Sequence, residues 1–207
     1  MIFLRFLILL QLTAALALGQ LAQQSKIPSL PKQPEAMVRG LYTHVAARHP
    51  VGIPRGADMK VLAPYLSKSL LHRIDLARAC ERDYYRQHQS AKEKPQIEWL
   101  EFGLFTGGNE KVSPRAFDVE RTQSEKDGSF HVYVRLKWGS PSKPWMWRVV
   151  AVVVQEDGHF VVDDVIFLKD ENLDDVESRL SETLASGCKG PRWVGFDNQK
   201  NEQGEQK

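Results

Sequence analysis

The chain lacks any strong imbalance of charge, is poor in cysteine and carries none of the short motifs that announce a reaction. Its 28 Lys and Arg stand against 26 Asp and Glu, a formal net charge of +2. A nucleic-acid binder normally shows a basic excess or stripe, and none is present, so nucleic acid is set aside as a partner. HExxH, CxxC, GxSxG and GxGxxG are all missing, which removes the usual signatures of zinc proteases, dithiol redox proteins, serine hydrolases and dinucleotide binders. Gly103 and Gly108 in GLFTGGNEK have the spacing of a phosphate loop, but Asn109 takes the lysine position and no helical pattern follows. The six histidines, His44, His49, His72, His88, His131 and His159, do not pair at metal-ligand spacing. No metal and no cofactor is therefore assigned.

Long apolar stretches are also absent, except at the N-terminus. MIFLRFLILLQLTAALALGQ has one early basic residue, Arg5, and then a mainly apolar run from Phe6 to Leu18. Ala17-Leu18-Gly19 offers the small residues a signal peptidase needs, so residues 1–19 read as a signal peptide cleaved before Gln20. The expected location is secreted or periplasmic, with no membrane span after cleavage. The alternative is an uncleaved N-terminal anchor, because the run is close to the minimum length for crossing a bilayer. Residues 20–33 are rich in Gln, Pro, Ser and Lys and read as a flexible linker. Residues 195–207 are a similarly polar tail, which leaves residues 34–194 as a single domain of ordinary size.

Within that domain the period of the apolar residues changes once. PEAMVRGLYTHVAARH predicts a helix opening at Pro34, with Val38, Leu41 and Val45 on one face. DMKVLAPYLS predicts a short helix capped by Asp58 and broken at Pro64. The third pattern, capped by Ser67, carries Leu70, Ile74, Ala77, Cys80 and Tyr84 as a stripe to about His88. From Pro95 alternation takes over: IEWLEFGLF, AFDVERT, FHVYVRLKW, WMWRVVAVVV and HFVVDDVIFLK predict five strands. ENLDDVESRLSETLASG then predicts a closing helix with Leu173, Val176, Leu180 and Leu184 inward and Gly187 at its end.

Asp127-Gly128 and Asp157-Gly158 are strong hairpin signals, and a two-residue turn fixes register. The first turn places Phe117 opposite Trp138 and Val119 opposite Leu136, with Glu120–Arg135 and Asp118–Lys137 as charge pairs on the other face. Those pairs neutralise much of the His131, Tyr133, Arg135 and Lys137 face. The second turn places Val153 opposite Val162, Val152 opposite Asp163 and Ala151 opposite Asp164. VVAVVV is apolar on both faces, which predicts a central strand covered on one side by the N-terminal helices and on the other by the last helix or a second subunit.

Cys80 and Cys188 are the two cysteines, one on the third helix and one just past the last. In an exported chain such a pair predicts a disulfide. It would close a loop of roughly a hundred residues, for which chain entropy allows about 4–5 kcal/mol. The alternative is two buried thiols packing as small apolar residues.

The fold class is thus α+β, with N-terminal helices packed on a curved antiparallel sheet of about five strands and a closing C-terminal helix. The GHFVVDDVIF strand, the tryptophan-rich strand before it and the ending SRLSETLASGCKGPRWVG resemble exported bacterial domains of unknown function with the nuclear-transport-factor-2-like fold. The resemblance covers roughly residues 34 to 194. It implies a cone of helices packed into a bent sheet, a fold shared by isomerases, dehydratases and non-catalytic binding proteins.

Trp145, Trp147 and Asp164 are the candidate ligand-binding residues. If the strands are regular, they share a face with Val149 and Ala151, and aromatics around one oriented carboxylate have the makeup of a small-molecule site. Asp163 then points to the opposite face. A β-bulge at the two aspartates is the alternative, placing Phe160, Val162, Val165 and Phe167 on a common face. Three functions follow. The first is a non-catalytic cell-envelope binding or interaction domain for an unknown small molecule or envelope protein. The second is a small isomerase- or dehydratase-like enzyme with Asp164 as acid or base in the cone, where His44, Tyr42 or Arg148 would have to serve as its partner. The third is a homodimeric structural module built on the outer sheet face.

The mature chain is expected to begin at Gln20, so the intact mass of the exported protein should lack residues 1–19. A mass that retains them would identify the stretch as an anchor.

Overall fold

Pro34 has its φ preset for a helix and no N–H to leave unpaired, and it opens helix α1 (Pro34–Arg48). The computed structural model describes residues 33–89, 103–107, 113–169 and 176–196. The predicted signal peptide, residues 20–32 of the linker and the tail beyond Phe196 lie outside them. Val38, Leu41 and Val45 are buried on the core side of α1, as their spacing predicts. Helix α2 (Gly56–Leu62) passes into a single 3-10 turn, Ala63–Tyr65, around Pro64. Asp58 does not cap it. It sits within the first turn and pairs with Arg48 at 2.8 Å. Ser67 does cap helix α3 (Lys68–Gln87), its Oγ accepting from the Leu70 amide at 2.8 Å. Leu70, Ile74, Ala77, Cys80 and Tyr84 are all buried.

Strands β1 (Ala116–Ser124), β2 (Phe130–Ser140), β3 (Lys143–Glu156), β4 (His159–Leu168) and β5 (Val176–Arg179) form an antiparallel meander in chain order. The central strand is β3, as its two-sided apolar pattern requires. Among the described residues the sheet has five strands, one of them unexpected. Of the predicted strand IEWLEFGLF, residues 97–102 lie outside the described residues. Gly103 to Gly107 form a turn, with the Gly103 carbonyl accepting from the amides of Thr106 and Gly107 at 2.8 and 3.0 Å. The fifth strand is instead Val176–Arg179, which was expected to be helical. It pairs with Ile166–Leu168 and satisfies the edge of β4, and that pairing overrides the helical spacing of Val176 with Leu180. The closing helix α4 is therefore short, Leu180–Ala185, with Leu180 and Leu184 buried; Leu173 lies outside the described residues.

The first hairpin corrects the expected register. Asp127 uses its side chain to accept from the Ser129 amide and hydroxyl, which widens the turn into a Glu125–Ser129 loop rather than a two-residue one. A bulge at Glu120 adds a second one-residue slip, so Phe117 faces Leu136 and Val119 faces Val134. Two slips of one residue restore the original facing. Phe117 and Val119 still pack inward, and Glu120–Arg135 and Lys137–Asp118 (2.6 Å) still pair outside, now along diagonals. Arg148 joins Glu120 at 2.9 Å, and Arg121 lies 3.9 Å over the Tyr133 ring.

The second turn is the expected one. Asp157 (φ 50°) and Gly158 (φ 79°) have the paired positive φ of a type I′ turn, and Val153 faces Val162. Beyond that pair the ladder slips at Asp163. Ala151 faces Val165, and Val152 faces Asp164. The bulge alternative is therefore the observed one, with Phe160, Val162, Val165 and Phe167 all packed on the inner core.

Cys80 and Cys188 are joined by a disulfide across 108 residues of sequence, with their Cα atoms 6.1 Å apart. Cys188 starts a small hairpin, β6 (Cys188–Lys189) and β7 (Arg192–Trp193), that lies on α3. Gly187 precedes it at φ +71°, and a Cβ there would come within 2.3 Å of the Trp193 ring, so no other residue fits. Trp193 meets Tyr84 edge-on at 5.0 Å, and its amide donates to Asp83 at 2.9 Å. That amide first, then Arg86 and Gln87, outweighs desolvation and holds the Asp83 carboxyl below the ordinary carboxylate range. A disulfide is compatible with an extracellular location. Among the described residues no helix is long and apolar enough to cross a membrane.

In unreduced protein both thiols should resist alkylation. Replacing both cysteines with serine should lower the unfolding free energy by up to about 4 kcal/mol, read from urea midpoints. Midpoints equal to the parent's would count against a stabilising tie.

Candidate functional site

The strands of the central hairpin are longer than their neighbours. The β1 ladder ends at Ala116–Lys137 and the β4 ladder at Val149–Phe167, so among the described residues β2 and β3 continue past both as a two-stranded arm from Trp138 to Trp145, with Trp147 at its base. Such an arm is marginal by itself and needs cross-strand support. Trp138 and Trp145 supply it as a directly opposed pair, ring centroids 6.4 Å apart and planes at 85°. Trp147 continues the row at 5.6 Å from Trp145, tilted by 37°. Its indole N–H donates to the Thr106 carbonyl at 2.7 Å, tying the base of the arm to the Gly103–Gly107 turn. That turn is itself fixed by the Tyr42 hydroxyl, which donates to the Phe105 carbonyl at 2.8 Å; burial raises the Tyr42 hydroxyl far above its ordinary pKa.

Trp145 nonetheless remains 56% exposed, and Met146 on the opposite face 37%. Large apolar groups left outside at the end of an overhanging arm make it the clearest interaction surface among the described residues. Alternation alone put Trp145 and Trp147 on one face. The sequence signal for Trp138 is the compact turn segment GSPSKP, which joins the two tryptophan-bearing runs into one hairpin.

Asp164 does not belong to this site. The bulge turns it to the face of Val152, Val150 and Tyr133, away from Trp147. Its Oδ1 accepts from the amides of Val165 (2.9 Å) and Ser181 (3.0 Å), and its Oδ2 from the Ser181 hydroxyl (2.7 Å). Ser181 lies in the first turn of α4, so Asp164 caps that helix from a neighbouring strand. Asp163 does related work on the other helix. It accepts from Ser67 Oγ at 2.5 Å while the Ser67 amide donates to the Val162 carbonyl at 2.9 Å, which seats the start of α3 on β4. Nor do the expected acid–base partners converge on Asp164: Tyr42 is bonded to Phe105, His44 to Tyr65 (3.2 Å) and Arg148 to Glu120. Trp145, Trp147 and Asp164 therefore do not form the expected pocket.

Among the described residues, cavities lie elsewhere. A shallow cleft of about 330 Å³ sits between the Pro50–Arg55 loop, Asp58 and Glu81, and its buried Glu81 is paired with Arg55. A pocket of about 80 Å³ lies between Arg73, Leu76, Leu184 and Cys188, too small for a drug-sized ligand. Among the described residues no cluster of three His, Cys, Asp or Glu side chains is placed to hold a metal ion. Comparison with known proteins gives no match to a family model, a curated protein or a solved structure.

Asp164→Asn, which withdraws the charge from three donors, should lower stability by about 1–3 kcal/mol by urea unfolding. A midpoint equal to the parent's would remove the capping role.

Proposed function

We propose that this chain is an exported, non-catalytic binding domain of the cell envelope that engages its target through the tryptophan arm. The observation that carries this reading is Trp145, more than half exposed yet braced by Trp138 and Trp147 on an arm that outruns the rest of the sheet. A side chain braced in this way is pre-organised, so little rotamer freedom is left to lose on binding. The disulfide supports an oxidising location, and the N-terminal apolar stretch supports export. Helices followed by a bulged antiparallel sheet and a closing helix support a nuclear-transport-factor-2-like arrangement, a fold that hosts binders as readily as enzymes. The binding reading is favoured over Asp164-based isomerisation or dehydration because the oxygens of Asp164 are engaged in helix capping.

The test is intrinsic tryptophan fluorescence of the exported protein against separated envelope fractions of its source: glycan, lipid and protein. One fraction should shift the parent's emission, and the shift should vanish in Trp145→Ala, which should unfold at a temperature close to the parent's because the arm stands outside the core. A shift that survives in Trp145→Ala moves the binding surface elsewhere and overturns the proposal.

A further inference from the structure

The arm carries charge as well as tryptophan. Between Trp138 and Trp147 the sequence WGSPSKPWMW contains Lys143 and no acidic residue. Arg115 donates its amide to the Lys137 carbonyl at 2.8 Å, so it stands next in line across the sheet from Trp138 and Trp145. Lys143 lies two residues before Trp145 on the same strand face. Both cations are exposed, and neither has an ion-pair partner among the described residues. Lys137 one step along is held by Asp118.

From this, and resting on the reading of the arm as the binding element, we infer that the arm docks on an anionic phospholipid surface, its tip entering the headgroup layer. Three observations favour a lipid surface over a glycan strand. Exposed apolar groups occupy both faces of the arm, Trp145 on one and Met146 on the other, whereas a stacking platform for sugars needs only one face. The Trp138 and Trp145 rings stand nearly perpendicular and Trp147 is tilted, so the row offers no flat shelf for successive sugar rings. Trp138 and Trp145 donate no indole hydrogen bond within the described residues, which suits rings whose bodies are apolar and whose N–H edges stay wet, the chemistry of the membrane interface. Lys143, near the tip, and Arg115, level with Trp138 and Trp145, then both have phosphate groups within reach of their long side chains. The hydroxyls of Ser140 and Ser142, 2.9 Å apart at the tip, remain at headgroup level.

The experiment is co-sedimentation of the exported protein with vesicles of equal parts phosphatidylcholine and phosphatidylglycerol, compared with phosphatidylcholine alone. Binding should be about tenfold weaker on the neutral vesicles. Lys143→Glu and Arg115→Glu should each weaken binding to the anionic vesicles by about fivefold or more. Both positions are exposed, so circular dichroism should be unchanged. Vesicles with brominated acyl chains should quench the parent's fluorescence, and the quenching should fall in Trp145→Phe, which keeps a ring at the position but removes that indole. Equal binding to the two vesicle types, or charge variants that bind like the parent, overturns the inference. A fluorescence response to envelope glycan or protein but not to vesicles overturns the lipid assignment and leaves the arm as the binding element. A concentration-dependent dimer lost in Trp145→Ala makes a second copy the occupant and overturns it as well. No response to any fraction removes both readings.

Discussion

The bulge at Asp163 and Asp164 is the constraint on which the arrangement of helices and sheet depends. One extra residue in β4 turns two adjacent carboxylates toward the starts of two different helices. Asp163 holds Ser67, which caps α3, and Asp164 holds Ser181 in the first turn of α4. Each helix start has unpaired amides and a partial positive charge, so a carboxylate there satisfies hydrogen bonds and the dipole together. The same slip brings Val165 and Phe167 to the inner face beside Val162. A regular strand would have kept Asp164 inward and turned those apolar residues out.

The disulfide performs a second fastening at the far end of the same helices. Cys80 lies on the buried stripe of α3, and Cys188 begins the hairpin that follows α4. Gly187 lets the chain turn tightly enough for Trp193 to reach Tyr84, and the Trp193 amide finds Asp83. Helices α3 and α4 are thus tied near their starts by carboxylates and near their ends by a covalent bond, with Leu70, Ile74, Leu180 and Leu184 buried between. Such fastening leaves the β2–β3 arm as the part of the described sheet with few neighbours. An interaction surface can extend there without disturbing the core.

Much of this was legible in the sequence because local chemistry dictates it. Pro34 and Ser67 start helices by the properties of their own side chains and backbone, and Asp157-Gly158 makes its turn because both residues tolerate positive φ. The outer charge pairs of β1 and β2 survived an error in register because two one-residue slips cancelled. Reading failed where a partner distant in sequence decided the outcome. Val176 to Arg179 carry helical spacing, yet they became a strand because the edge of β4 offered them hydrogen bonds. The Asp127 turn failed for a local reason instead: its carboxylate captured Ser129, two residues on, and widened the loop.

By itself the sequence determined the class of fold, the stripe that carries Cys80, the presence of just two cysteines to pair and the face shared by Trp145 and Trp147. All of these follow from periodicity or from counting residues of one kind. The tertiary structure alone decided that the tryptophans and Asp164 part company, that both aspartates serve helix starts and that the tryptophan-bearing strands overhang the sheet. A bulge shifts facing by one residue, and strand length beyond the neighbours is a property of the sheet, not of the strand. Neither is encoded in the pattern of any single segment, so both appear only when the segments are assembled.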